Sequence, residues 1–182
     1  MRRAIAHFVC ISFMAANVAC AQPAEQAPRH TVRIPGTIVE SELVRVERDG
    51  MPALWVSRTE VTWDLYDVYL YGLDIPEGAD ADADAVTRPS KPYVPPDRGM
   101  GHAGYPAIGM TRHAAESFCL WFSERTGLAA RLPTPGEFSS YAVLANDAPL
   151  ERFAWTVVIS ENTTRPVASL DANPLGLHDT LG

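Results

Sequence analysis

The sequence predicts an α+β fold of short helices, short antiparallel strands and much loop, and three observations carry that expectation. Fifteen prolines in 182 residues interrupt the chain too often for long helices. Stretches rich in β-branched residues at 31–34, 38–46 and 53–57 are separated by Pro35-Gly36 and Asp49-Gly50, both turn pairs. Three later segments each open on a threonine suited to capping, and two of them close on glycine.

The first helix is expected to start at Thr62, with Asp64 in its first turn and Leu65, Tyr66, Tyr69 and Leu70 as an apolar stripe, and to stop at Gly72. A second runs from Thr111 to Gly127. Its inner face carries Ala114, Ala115, Phe118, Cys119 and Phe122, while Arg112, Glu116, Ser123 and Glu124 face away. The third has the strongest start signal. Thr134-Pro135-Gly136-Glu137 reads as a capping box with proline at the first helical position, and Pro133 and Phe138 can staple across it. Residues 153–159 read as a short strand. Residues 75–104, with Asp80, Asp82 and Asp84 alternating with alanines ahead of several prolines, read as a long acidic loop. The aspartates do not form an EF-hand loop, because Ala85 and Lys91 stand where glycine and a bidentate glutamate are needed.

Residues 1–21 have the form of an export signal: Arg2 and Arg3, an apolar run, and Ala19-Cys20-Ala21 as a small-x-small cleavage pattern. The expectation is cleavage after Ala21 and a periplasmic or secreted protein, with 22–30 as a flexible leader and 31–182 as the domain. A lipid anchor at Cys20 is the alternative. It is disfavoured by Asn17, which stands where such signals prefer leucine. The apolar run is short for a span, which takes about 20 residues. The net charge of −7 becomes −9 without Arg2 and Arg3. With no cluster of lysine and arginine, nucleic acid and anionic membrane surfaces are poor candidates as partners; a protein partner stays open. Cleavage would leave Cys119 as the single thiol, too few for an internal disulfide, a redox pair or a zinc cluster.

No nucleotide-binding, hydrolase or zinc-protease motif is present. Asn162-Thr163-Thr164 fits a glycosylation sequon, a weak three-residue match. His102 and His113 read as surface residues, and the neighbours His178 and Asp179 as part of a turn. Glu60, between Thr59 and Val61 and close to Trp63, reads as a half-buried carboxylate in need of partners. Glu137 reads as a capping residue before it reads as an acid.

Four segments, taken in order, resemble the sulfatase-modifying-factor (formylglycine-generating-enzyme) family. Thr59-Glu60-Val61-Thr62 with Tyr66 resembles its E-V-T-x-x-x-Y motif. Residues 106–127, with Phe118-Cys119-Leu120-Trp121 and Arg125-Thr126-Gly127, resemble its central helix. Arg131-Leu132-Pro133-Thr134 with Glu137 resembles R-L-P-T-E-A-E-W. Asn173-Pro174-Leu175-Gly176-Leu177-His178-Asp179-Thr180-Leu181-Gly182 resembles N-x-F-G-L-Y-D-M-x-G. Pro135, Gly136, Phe138 and Ser139 depart from the third motif, and Thr111-Arg112-His113 from the usual start of the second.

The resemblance implies an irregular fold related to C-type lectins, of which 31–182 would be the N-terminal part. In the family, Asn-Val-x-Glu-Trp and a C-terminal half follow the glycine that matches Gly182. Oxidases of the family keep a copper-binding cysteine pair in that half, and their structural calcium sites draw on segments near or after this point. The implied function is that of an exported, non-catalytic accessory or binding domain in the maturation of secreted proteins. A fragment of a formylglycine-generating oxidase and a lectin-like binding module are the alternatives. No catalytic, cofactor or metal residue is expected here. Glu60, Thr62, Tyr66, Trp121, Arg131, Leu132, Pro133, Thr134, Glu137, Asn173, Gly176, Leu177, Asp179 and Gly182 are expected as scaffold.

Overall fold

The computed structural model describes residues 27–76, 88–89, 92–144 and 148–181. The export signal, most of the leader, the alternating aspartates and Gly182 lie outside the described residues. Within them the chain is an α+β mixture. Strands β1 (Arg29–Arg33), β2 (Glu40–Val46) and β3 (Leu54–Ser57) are followed by helices α1 (Trp63–Tyr71), α2 (Arg112–Thr126) and α3 (Pro135–Tyr141). A 3-10 turn at Leu150–Arg152 and a single helical turn, α4 (Val157–Ser160), complete it.

The strands form an antiparallel sheet in the order β1-β2-β3. Gly36 and Gly50 take φ of 80° and 77° at the two expected turns, where a side chain would be strained. Alternation along β2 gives each face of the sheet its own core. Val32 and Ile34, with Leu43 beside them, pack towards α1 and α2; Val44 and Val46 turn the other way and meet Tyr141 of α3 and Leu177 of the C-terminal segment. The first core is aromatic: Tyr66 and Tyr69 of α1 meet Phe118 and Trp121 of α2 at centroid distances of 5.5–5.8 Å, a spacing at which ring pairs add to plain burial.

The helices start and stop as their capping residues dictate. Thr111 accepts from the Ala114 N–H, and Gly127 closes α2 in the left-handed conformation. Thr134 and Glu137 make the complete capping box. Gly72 ends α1, and the Arg88 guanidinium bonds two carbonyls of its last turn, those of Val68 and Tyr69, at 3.2 and 2.9 Å.

Several expectations need correction. Thr62 sits at the N-cap of α1, yet its hydroxyl caps nothing, and the first turn is held through its carbonyl, which accepts from Leu65 and Tyr66. Arg29 and His30 belong to β1, because β2 offers them Val44 and Leu43 as partners. Residues 153–159 are not a strand: Ile159 and Ser160 N–H groups bond the Thr156 carbonyl, and local helical bonds replace a ladder. Phe138 is 44% exposed and packs edge-on against Tyr141, so it forms no buried staple. The described residues therefore hold four α-helical segments rather than three, with a 3-10 turn besides.

Candidate functional site

After β3 the chain crosses to α1 through residues 58–62 and bounds a cleft of about 180 Å³ lined by Glu40, Glu42, Arg58, Glu60 and Thr62 among others. Ligand pockets for whole small molecules run from roughly 300 to 1,000 Å³, so this one has room for a single polar head group. Arg58 organises one wall. Its guanidinium pairs with Glu42 at 3.1 Å and reaches His178 Nε2 at 3.0 Å. An arginine can only donate, so His178 Nε2 accepts, and Nδ1–H then donates to the Leu170 carbonyl at 3.0 Å. That fixes the neutral Nδ1–H tautomer.

Glu60 brings the chemistry. Loss of hydration, and secondly the Asp179 carboxylate, push its carboxyl up to about 7. The residue as a whole is exposed, so water screens part of that effect. Asp179 is buried, in the left-handed region at φ 53°. Its Oδ2 accepts from the Ala168 N–H at 2.7 Å, and its buried Oδ1 has no hydrogen-bond partner. Glu60 therefore faces a second acid rather than a cation, an arrangement that lets it exchange a proton near neutral pH.

The sign of the pH effect follows. Between the ordinary glutamate value of 4.5 and about 7, the folded state binds more protons at Glu60 than the unfolded state does, so stability falls as pH rises through that window. Glu60→Gln is expected to raise the melting temperature at pH 8 and leave it nearly unchanged at pH 4. Equal effects at both values would show that the Glu60 carboxyl is not raised by its loss of hydration and by Asp179.

Thr62 also lines this cleft, and the other predicted residues lie elsewhere. Tyr66 and Trp121 lie in the aromatic core. Arg131 grips Glu137 through two bonds of 2.8 and 2.6 Å, and this pair, with the Thr134 N–H, holds the Glu137 carboxyl at about 2. Leu132 and Pro133 carry the chain from that pair into α3. Asn173 is buried beneath the sheet. Its Nδ2 donates to the Tyr141 carbonyl at 2.8 Å, its Oδ1 accepts from Leu175 and Leu177, and Gly176 turns the chain at φ 83°. Across the cleft, the structure brings Glu60 and Asp179 together, while Arg131, Thr134 and Glu137 form one local group and Asn173 and Leu177 another. Cys119 is half-buried rather than buried. Burial and Glu116 push its thiol up, away from the thiolate a nucleophile requires. It lines a second cleft of about 280 Å³ with Arg112, Leu120 and Leu132.

Sequence reasoning missed one constellation. His102 places Nδ1 at 2.8 Å from Asp97 Oδ2 and Nε2 at 2.7 Å from Asp67 Oδ2, with its ring stacked on Trp63 at 5.4 Å and 6°. The three side chains are of metal-ligating types, but the two carboxylates stand on opposite edges of the ring, so one ion cannot touch both and a nitrogen as well. No group of three or more such residues among those described is arranged to hold a metal. The Asp-Ala-Asp run drew attention in the sequence, whereas Asp67 and His102 are 35 positions apart and carry no local signal.

No helix among the described residues is long and apolar enough to cross a membrane. No family model matches the chain, and no curated protein and no solved structure matches it either.

Proposed function

We propose that residues 31–182 form a sulfatase-modifying-factor-type domain that acts after export as a non-catalytic accessory or binding module in the maturation of secreted proteins. The observation that supports this reading is what the motif side chains do. Arg131, Thr134 and Glu137 bond one another and local backbone, and Asn173 bonds the backbone of its own turn and of α3. Such bonding supports the scaffold role that the resemblance implies, and burial and Glu116 hold the Cys119 thiol above its ordinary value, which disfavours a nucleophile there. The cleft at Glu60 suits a small polar group on a partner better than a whole small-molecule substrate.

The test uses a fluorescent peptide carrying a sulfatase-type cysteine motif, with copper and oxygen. Binding by anisotropy without conversion of the cysteine to an aldehyde is the expected result. Aldehyde formation abolished by Cys119→Ser would overturn the non-catalytic reading, and folded protein that neither binds nor converts the peptide would overturn the role in maturation.

A further inference from the structure

The Asp67–His102–Asp97 constellation lies where loop 97–107 folds over α1. The loop is tied there in several ways: the Gly104 N–H donates to Asp64 at 2.6 Å, the Trp63 N–H to the Tyr105 carbonyl at 3.0 Å, and the Ala107 N–H to the Val61 carbonyl at 2.8 Å. Gly101 permits the fold-over, since a Cβ there would lie 2.3 Å from the Tyr105 ring. The loop in turn carries a C-terminal segment. The Val167 N–H donates to the Gly104 carbonyl at 2.9 Å, and the Thr164 hydroxyl donates to the Met100 carbonyl.

Ionised carboxylates only accept hydrogen bonds, so an imidazole between two of them satisfies both only when both ring nitrogens carry protons. The neutral ring presents one bare nitrogen to a carboxylate and leaves two negative groups facing each other across it. We propose that this constellation is a pH-sensitive latch: the imidazolium form of His102 holds loop 97–107 and residues 164–167 on α1, and the neutral form releases them.

The surrounding charges favour the same direction. Asp64, Asp67 and the Tyr71 phenol belong to α1. From the loop come Asp97 and the exposed Arg98, whose Nη2 lies near Gly109. On the C-terminal segment, Arg165 is turned to the Ser160 carbonyl and Glu161. Bonds to Asp67 and Asp97 raise the His102 value above its ordinary 6.5 against the opposing effect of burial. With the folded value raised, the contribution to stability is complete below about 6.5 and is lost as pH rises through the folded value.

The test is amide hydrogen exchange on the whole protein at pH 5.5 and 8.5, corrected for intrinsic exchange, together with an NMR titration of His102. Protection at Gly104 and Val167 is expected to fall at the higher pH, since the bonds from His102 to Asp67 and Asp97 that raise its value are lost with its proton, while the amides of α2 keep theirs. His102→Gln should abolish the difference between the two pH values. Should that variant fail to fold, the wild-type titration decides. A midpoint at or below 6.5, or protection independent of pH in the wild type, would overturn the latch.

Discussion

Asp74→Asn is expected to destabilise the fold by about 3 to 5 kcal/mol, the cost of taking one partner from a buried ion pair. The Asp74 side chain is 1% exposed and that of Arg88 is 7% exposed. Arg88 Nη2 reaches the two Asp74 oxygens at 3.0 and 3.1 Å, Arg125 Nε reaches Oδ2 at 2.7 Å, and Trp121 Nε1 donates to Oδ2 at 3.3 Å. The same guanidinium of Arg88 caps α1 and lies over the Trp121 ring at 5.7 Å. Neutralising Asp74 thus strips the charge that faces a buried cation and loosens the end of α1 and its contact with α2 together. Domains are stable by only about 5 to 15 kcal/mol, so this one atom-for-group change removes a large share. Arg125 is 37% exposed, and Arg125→Gln is expected to cost about 1 kcal/mol or less, as for partly solvated pairs. Urea unfolding of both variants checks the order: the midpoint should fall far for Asp74→Asn and little for Arg125→Gln, at unchanged slope. Equal, small shifts would mean that water screens the whole cluster.

That network also marks where sequence reading stops. Turns at Gly36 and Gly50, the caps Thr111 and Gly127, and the box at Thr134 were legible because each depends on residues within four positions of one another. Asp74 with Trp121 and Asp67 with His102 join residues 47 and 35 positions apart, and no local pattern announces them. At 157–159 the β-branched Val157, Val158 and Ile159 suggested a strand, but propensity yields to context. No strand pairs with them among the described residues, and helical bonds to Thr156 take over. The candidate site was half legible. Glu60 stood out as a carboxylate in need of partners, and its partner is an acid brought from 119 positions away by the docking of the Asn173 turn. His178 and Asp179 looked like an ordinary turn until Arg58 and Ala168 supplied their bonds.

The docking of that turn rests on Leu177, and Leu177→Ala is the second large effect expected, about 2 to 5 kcal/mol. Leu177 is 1% exposed and fills the sheet face opposite the aromatic core, against Val44, Val46 and Tyr141. Its backbone is fixed on both sides: the Asn173 N–H donates to its carbonyl at 2.7 Å, and its own N–H donates to Asn173 Oδ1 at 3.1 Å. The side chain therefore cannot shift to follow a shrinking wall, and truncation leaves a cavity that the rigid turn does not close. The consequence reaches the cleft. His178 and Asp179 are held beside Arg58 and Glu60 by the same turn, through the His178 N–H to the Arg58 carbonyl at 2.9 Å. Losing the Leu177 anchor should release Asp179 from Glu60 and remove the smaller, Asp179 part of the rise in the Glu60 value, leaving the part due to lost hydration. In Leu177→Ala the benefit of Glu60→Gln at pH 8 should then shrink, a coupling that a double-mutant cycle measures. Full additivity of the two substitutions would mean that the turn stays docked without its leucine and that Glu60 is set by its own strand-to-helix crossing alone.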